Sequence, residues 1–516
     1  MEKDFAYDAL PYSNHLFMQT HPNRLATLGT LFGMKPPAVE KSRVLELGCG
    51  NGMNLIAQAF VLPEAEFVGI DLAKTHIDYA ENSARELNLS NVKFQQFDLM
   101  DMSAAEFGKF DYIIAHGLIS WIPEPVRAKV FSIYREMLSE NGVGFISYNT
   151  YPGWYHRQTA RGIGRIHTRN IDNPLAKVES ALEFIKFLGE NTPRNDVYKF
   201  ILNNELFSFA DVEPTSIFHD NLAEINEPYY FYEFAGRLEE NGLQFLAEAE
   251  LFTMSAQSVP PAARKFIETI DDIIWREQYL DFLTGRVFRQ TLFCHKEIKL
   301  NHKPPPSILD EFRMASMVKP DSEKPEIHTD KVERFAGIGE RGIEINHPLT
   351  KAALIYLGKI WDNSVSFPEL LQKARMMLGE RGFRTNNWEE DFQVIRDVML
   401  QLIQNSEFIE IFTYHPKIYT EIDEKPKINP LARWQLDKSN LILAGYDKTF
   451  KIDDPLMKRL LELSDGTRTQ ENIYEELRNF IQTNQEYTDK ETALKGLEDN
   501  FHKDLTQFAR AGLFVP

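Results

Sequence analysis

The stretch Arg43-Val44-Leu45-Glu46-Leu47-Gly48-Cys49-Gly50-Asn51-Gly52 puts an acid two residues ahead of three glycines at alternate positions. Asp71 and Asp98 follow at the ends of two further apolar runs. Alternate glycines let a backbone approach a ligand where side chains would clash. A dinucleotide turn usually spaces its glycines G-x-G-x-x-G and offers helix amides to a pyrophosphate. Glu46 would repel a pyrophosphate, but it would attract a cofactor carrying an ammonium and a sulfonium. That favours S-adenosylmethionine. Asp71 is placed to accept from both ribose hydroxyls, and Asp98 from the adenine amino group with Leu99 against the ring. Cys49 in the turn, Asn54 in the following helix, Leu72 beside Asp71, and His116 complete the candidate cofactor contacts, with Tyr7 and Tyr12 of the lead-in as a lid.

Holding those groups in register requires alternating strands and helices. Strands are expected at Arg43–Leu47, Glu66–Ile70, Val92–Phe97, Phe110–Ala115 and Gly142–Tyr148, and helices at Met53–Val61, Thr75–Leu87 and Val126–Leu138. This alternation implies right-handed crossovers and a parallel sheet covered on both faces. Residues 156–227 lose the strand pattern and read as a helical insertion. A helix at Tyr229–Glu240, stopped by Asn241-Gly242, then leads to strands at Leu243–Leu251 and Arg286–Cys294 that are expected to return to the same sheet. In the lead-in, Ser13 or Asn14 could cap a short helix, and Thr20-His21-Pro22 reads as a helix start.

The fold class is therefore α/β, a Rossmann-like seven-stranded sheet with helical insertions, followed by winged-helix-like α+β modules. Residues 1–300 form the first region, with its core at 41–155 and about 228–297. The proline- and charge-rich stretch 301–342 reads as a surface linker. Helices at Pro348–Trp361, Phe367–Met377 and Asp391–Asn405 with a strand at Phe408–Thr413 suggest one module over 343–428. Helices at Pro455–Ser464, Glu471–Phe480 and Asp504–Ala511 suggest a second over 429–516.

A length of 516 residues calls for several domains, and 43% hydrophobic residues with 12% aromatics indicate a folded chain. The start shows no basic cluster ahead of an apolar core, and no run approaches the roughly 18 apolar residues of a membrane helix. Two cysteines suit a reducing cytoplasm. A formal net charge of −19 disfavours a phosphate backbone as partner. His15 with His21, and His295 with His302, lack acid or cysteine partners at ligand spacing, so no metal is expected.

Residues 43–148 resemble a class I S-adenosylmethionine-dependent methyltransferase. The motifs Tyr7-Asp8, Pro11-Tyr12, Thr20-His21-Pro22, His116-Gly117, Ser120-Trp121-Ile122-Pro123, Ser147-Tyr148-Asn149 and Pro152-Gly153-Trp154 narrow the likeness. So do His219-Asp220, Tyr232-Glu233-Phe234 and Arg289-Gln290-Thr291-Leu292. Together they resemble bacterial methyltransferases that carry a methyltransferase regulatory domain, among them the rickettsial lysine methyltransferases of outer-membrane proteins. The resemblance implies a homodimer and a protein-lysine substrate, possibly an outer-membrane protein before export.

A lysine acceptor, with a reference pKa of about 10.4, must lose a proton before it attacks. An apolar, aromatic-walled pocket lowers that pKa, and ring faces tolerate methylammonium. The candidates at the ends of the fourth and fifth strands are His116, Trp121, Tyr148, Asn149, Tyr151 and Trp154. Tyr148 and Asn149 are the favoured functional pair. Trp121 and Trp154 read more readily as packing residues than as cage walls, and His116 at least as readily as a hydrogen-bonded structural residue as a general base. Where adenine and glutamine N-methyltransferases carry an Asn/Asp-Pro-Pro-Tyr motif, this chain has Ala115-His116-Gly117-Leu118. Neither Cys49 nor Cys294 suits the nucleophile that pyrimidine carbon-5 methylation needs. Nucleic-acid substrates are thereby disfavoured. A small-molecule methyltransferase, and a weakly catalytic regulator docking a partner through its C-terminal modules, remain as alternatives.

Overall fold

The computed structural model describes residues 16–193, 196–210, 212–337, 342–361, 363–379, 388–415, 419, 421–444, 448–485 and 487–515. Tyr7, Tyr12, Ser13, Asn14 and His15 of the lead-in lie outside the described residues.

Seven strands form one sheet: β1 (Arg43–Leu47), β2 (Glu66–Asp71), β3 (Val92–Gln96), β4 (Phe110–Ala115), β5 (Leu138–Asn149), β6 (Leu243–Glu248) and β7 (Phe288–His295). Their order is β3-β2-β1-β4-β5-β7-β6. β1 to β5 run parallel, and β7 lies antiparallel between β5 and β6. The two late strands thus complete the first sheet. The order reverses between β1 and β4, which opens a crevice at their carboxyl ends, where such sheets bind ligands.

Helices α1 (Pro22–Leu31), α2 (Met53–Val61), α3 (Lys74–Glu86) and α4 (Glu124–Met137) precede the insertion, which holds α5 (Trp154–His167), α6 (Pro174–Asn191) and α7 (Asp196–Ser208). After it come α8 (Phe231–Glu240) and α9 (Ile273–Thr284). Strand side chains alternate between two cores, as the pleat requires. Val44, Tyr112, Ile114 and Phe145 share a core with Leu25, Leu55, Ile56 and Ile77 of α1, α2 and α3. Leu45, Leu47, Ile113, Ile146 and Tyr148 share the other with Phe131, Tyr134, Phe234 and Leu238 of α4 and α8. Each large apolar side chain so buried contributes about 1.5–3 kcal/mol.

Arg289 explains the charged motif on β7. It is buried, and its guanidinium bonds Glu248 on β6 at 2.6 Å and both oxygens of Asp281 on α9 at 2.9 and 2.8 Å. Glu277 stands 3.3 Å away and the Phe231 ring 3.9 Å below. The cluster ties two strands to one helix. Burial holds the Glu277 and Asp281 carboxyls above the ordinary range even with Arg289 opposing it.

The stretch expected to be a linker is part of the middle module. Arg313–Ala315 forms the central strand of a three-stranded antiparallel sheet between Val365–Ser366 and Glu410–Phe412. Phe312, Met314 and Val318 are buried beside helices Pro348–Ile360, Phe367–Leu378 and Trp388–Asn405. Its proline-rich start hid a strand too short for its alternation to show. The module reaches the first domain through Asn23, whose Oδ1 accepts from Thr413 Oγ1 (3.1 Å) and Tyr414 N–H (3.0 Å).

The last module has its own core. Lys427–Ile428 pairs with Phe514–Val515, so the module begins before residue 429, and Leu441–Ala444 pairs antiparallel with Lys448–Lys451. The helix expected at Asp504–Ala511 is the end of a longer one, Lys490–Arg510, started by Asp489, which accepts from Thr492 N–H at 3.0 Å. Its polar first half concealed it. Trp434 Nε1 and Lys438 Nζ each donate to Glu86 of α3 at 2.6 Å, docking this module on the first domain. Among the described residues no helix is long and apolar enough to cross a membrane.

Candidate cofactor and acceptor site

The glycine turn is held by the sheet it leaves. The Gly48 and Cys49 amides donate to the Ile70 carbonyl at 2.8 and 3.0 Å. Gly48, Gly50 and Gly52 have φ of +70°, +53° and +75°, a region that L side chains rarely adopt. Two of the three serve different ends. A Cβ on Gly52 would lie 2.5 Å from the Phe94 ring and 2.7 Å from Ala80, whereas one on Gly50 would meet nothing within 4 Å. Gly52 answers to packing; Gly50 faces open space on the crevice. Asp71 closes the turn, with Oδ2 accepting from Gly50 N–H and Oδ1 from Ala73 N–H, both at 2.9 Å.

Glu46 is 4% exposed. Oε1 accepts from Asn54 Nδ2 at 2.9 Å, and Oε2 has no hydrogen-bond partner among the described residues. Burial pushes its pKa up to about 8, against the Asn54 hydrogen bond and with a smaller push from Asp71. An acid so placed is expensive unless a cation arrives to pair with it. The donor set fits a cofactor bearing an ammonium.

The described part of the lead-in folds over this acid, through Phe17 and Thr20. Asn54 Nδ2 also donates to Thr20 Oγ1 (3.0 Å), Gln58 Nε2 donates to the same oxygen (3.2 Å), and Phe17 N–H donates to Asn54 Oδ1 (3.2 Å). The Phe17 ring stacks on His116 with centroids 3.8 Å apart. Thr20-His21-Pro22 does start a helix, with His21 as its cap: Nδ1 accepts from Asn23 N–H at 3.1 Å. Burial lowers the His21 pKa to about 3, which keeps that nitrogen an acceptor.

On the far side of the turn, Leu72 is 46% exposed although apolar, and Asp98 is exposed with Leu99 half-buried beside it. Asp98 also caps the short helix after it, accepting from Met100 N–H at 2.9 Å. The Cys49 thiol is packed in the core and pushed well above its ordinary pKa by burial, then by Asp71 and Glu46, so only its backbone borders the crevice.

At the ends of β4 and β5, Ser147 Oγ accepts from Gly117 N–H at 2.7 Å, and Ser120 Oγ from Asn149 N–H at 3.0 Å. Asn149 Nδ2 donates to Asn226 Oδ1 at 3.3 Å, a partner on the return from the insertion. Trp121 and Trp154 meet edge to face at 6.4 Å. Trp154 is buried, with Nε1 unpartnered among the described residues. His116 lies between Phe17, Phe145 and Phe288.

Tyr148 is elsewhere. It is 1% exposed, stacks on Phe234 at 4.1 Å, and its hydroxyl accepts from Thr291 Oγ1 at 3.2 Å. Its place is the core beneath α8, because adjacent residues of a strand face opposite ways. Of the favoured pair only Asn149 points away from that core, its side chain bonded to Asn226. Tyr12 lies outside the described residues. Sequence reasoning missed Phe17, Thr20, Gln58, Ser120 and Asn226 as site partners. Ser120 stood within a quoted motif, but nothing local tied Asn226 to Asn149 across 77 residues.

Fold and site define a class of protein: an S-adenosylmethionine-dependent methyltransferase. Residues 38–192 match the family model described as "Methyltransferase domain", 213–295 that of the "Predicted methyltransferase regulatory domain", and 424–513 that of "PKMT, C-terminal winged helix domain". The chain is 32% identical over 526 residues to Uncharacterized protein RP789 of Rickettsia prowazekii, covering 99% of this chain and 93% of that one. Uncharacterized protein RP028 of the same organism is 31% identical over 242 residues, 47% of this chain and 96% of its own. The structure of PKMT2 from Rickettsia typhi in complex with AdoHcy matches with a TM-score of 0.86 at 27% identity, covering 98% of this chain and 100% of that chain. The chain belongs to the family of PKMT-type methyltransferases that join this domain to the regulatory domain and the C-terminal winged helix.

Proposed function

We propose that the protein methylates lysine side chains of a protein substrate. The carrying observation is the acceptor side of the crevice. Asn149 donates its amide to Asn226 at 3.3 Å, which fixes the side chain, and in this reading its carbonyl oxygen accepts from the incoming amine. Trp121, Trp154 and His116 supply ring surface around it.

S-adenosylmethionine, when bound, supplies an electrophilic methyl group. In this reading Glu46 and Asn54 hold its amino acid end and Gly48, Gly50 and Gly52 admit its backbone contacts. Asp71 takes the ribose hydroxyls, and Asp98, Leu72 and Leu99 take the adenine. Each Asp71 oxygen keeps a lone pair beyond the amide it now accepts. For the acceptor, the aromatic surround removes water and so disfavours the charged ammonium, while Asn149 Oδ1 orients the neutral amine for in-line attack.

A protein substrate is supported by the PKMT designation of the winged helix and of the full-length structural match. The resemblance to rickettsial lysine methyltransferases extends the proposal to a homodimer in the cytoplasm acting on a substrate of the outer-membrane-protein type. The test is transfer of radiolabelled methyl groups to purified proteins, unfolded outer-membrane proteins among them, with mass spectrometry to place the mark. Methylated lysine is the expected result. Turnover on metabolites with no label on any protein overturns it.

A further inference from the structure

Beyond Asn149 the chain emerges into a row of rings. Tyr155 stacks on Tyr151 at 4.2 Å, Tyr151 meets Tyr230 at 5.3 Å, Tyr230 meets Tyr232 at 6.0 Å, and Tyr232 stacks on Trp275 at 5.5 Å. The row bends at Tyr151, since Tyr155 also lies 6.5 Å from Tyr230; Tyr151, two residues past Asn149, donates its N–H to the Tyr229 carbonyl at 3.0 Å, and the row ends on α9. Tyr155, Tyr232 and Trp275 are 53%, 41% and 47% exposed. Three large rings left partly in water within one aromatic cluster mark a binding surface more than a packing need.

Carboxylates lie along it. Glu233 accepts from Tyr232 Oη at 3.2 Å and from Tyr230 N–H at 3.1 Å. The Tyr151 phenol is held above its usual pKa by burial, then by Tyr155, Glu227 and Glu233, so both carboxylates are close enough for their charge to be felt at that ring. Asp272 caps α9 through the amides of Ile274 and Trp275. Aromatic faces beside acids attract lysine and arginine side chains.

We propose that Tyr155, Tyr151, Tyr230, Tyr232 and Trp275 form the docking track for a basic segment of the polypeptide substrate, flanking the residue to be methylated. This rests on the protein-lysine reading. The occupant is a peptide chain and not a nucleic acid, because Glu227, Glu233 and Asp272 would repel phosphates.

The test uses the full chain and two fluorescein-labelled octapeptides, one alternating lysine with serine and one alternating glutamate with serine, read by anisotropy. The lysine peptide is expected to bind, and the glutamate peptide not to. Tyr155→Ser with Trp275→Ser weakens the lysine peptide about tenfold, while calorimetry shows S-adenosylmethionine affinity unchanged. Unchanged lysine-peptide affinity in that double variant overturns the proposal, as does equal binding of the glutamate peptide. KM for a methylated protein substrate rises in the same variant with kcat held. A protein-lysine activity whose KM does not move sinks the track and spares the lysine reading; track binding without methylated lysine does the reverse.

Discussion

Glu46 Oε1 and Asn54 Nδ2 stand 2.9 Å apart in a space closed to water, and the second carboxylate oxygen of Glu46 faces it without a hydrogen-bond partner among the described residues. Asn54 also holds Thr20 and Phe17, so the acid, the first helix after the turn and the lead-in form one unit. Cofactor binding is expected to reorganise that unit's charge before anything else.

The first prediction is a pH dependence of cofactor affinity. With a pKa of about 8, Glu46 is protonated in the free protein at pH 6 and must release that proton to pair with an ammonium. Affinity therefore rises from pH 6 toward 8, by up to about tenfold per unit. Above about 8 it falls, because an α-amino group itself loses its charge there. Calorimetry in buffers of different ionisation enthalpy should show proton release on binding at pH 6.5. Glu46→Gln should flatten the acid limb and weaken binding throughout.

The last two glycines of the turn should fail differently. Gly52→Ala drives a methyl into Phe94 and Ala80 and should lower the melting temperature by several degrees. Gly50→Val has room but projects into the crevice, at a cost of about 1–2 kcal/mol for its left-handed backbone. It should fold and lose cofactor affinity. Asp71→Ala should weaken cofactor binding at least tenfold, since it removes the acceptor that shapes the turn. Unfolding scans beside calorimetry separate the cases.

Tyr148 and Asn149 are neighbours in the chain with opposite expected phenotypes. Tyr148→Phe removes one buried hydrogen bond to Thr291 and should cost about 1 kcal/mol of stability with kcat intact. Asn149→Ala should lower kcat with cofactor affinity unchanged. Asn226→Ala, by freeing the Asn149 amide, should give an intermediate kcat. Equal kcat losses in Tyr148→Phe and Asn149→Ala would contradict this assignment.

Arg289→Leu should be among the most destabilising single changes, by about 3–5 kcal/mol at neutral pH, because it strands Glu248, Glu277 and Asp281. The Glu277 and Asp281 carboxyls already sit above their ordinary pKa in the folded chain, and losing Arg289 raises them further. A folded state that keeps protons the unfolded state has released loses stability as pH rises above the ordinary carboxylate range. Denaturant titrations should therefore show the variant closest to wild type at acid pH and furthest from it above neutrality.

Much of this protein is written locally. The five parallel strands, the glycine turn and the acid at Glu46 could be read because alternation, positive φ and a nearby charge depend on a few adjacent residues. The alternation of the two late strands could be read in the same way, whereas their pairing beside β5 is set by the fold. Neighbourhood across the chain was decided only by the fold. Tyr148 went to the core because a strand turns alternate side chains opposite ways and α8 covered its face. Asn226 reached Asn149 because the insertion returns beside β5. Arg313–Ala315 became the middle strand of a sheet whose partners lie far along the chain, at Val365 and Glu410. Such contacts are set by which surfaces bury one another, and no short window of sequence contains that information. The methyl donor was thus legible from residues 46 to 98, while the shape that receives an acceptor belongs to the tertiary structure.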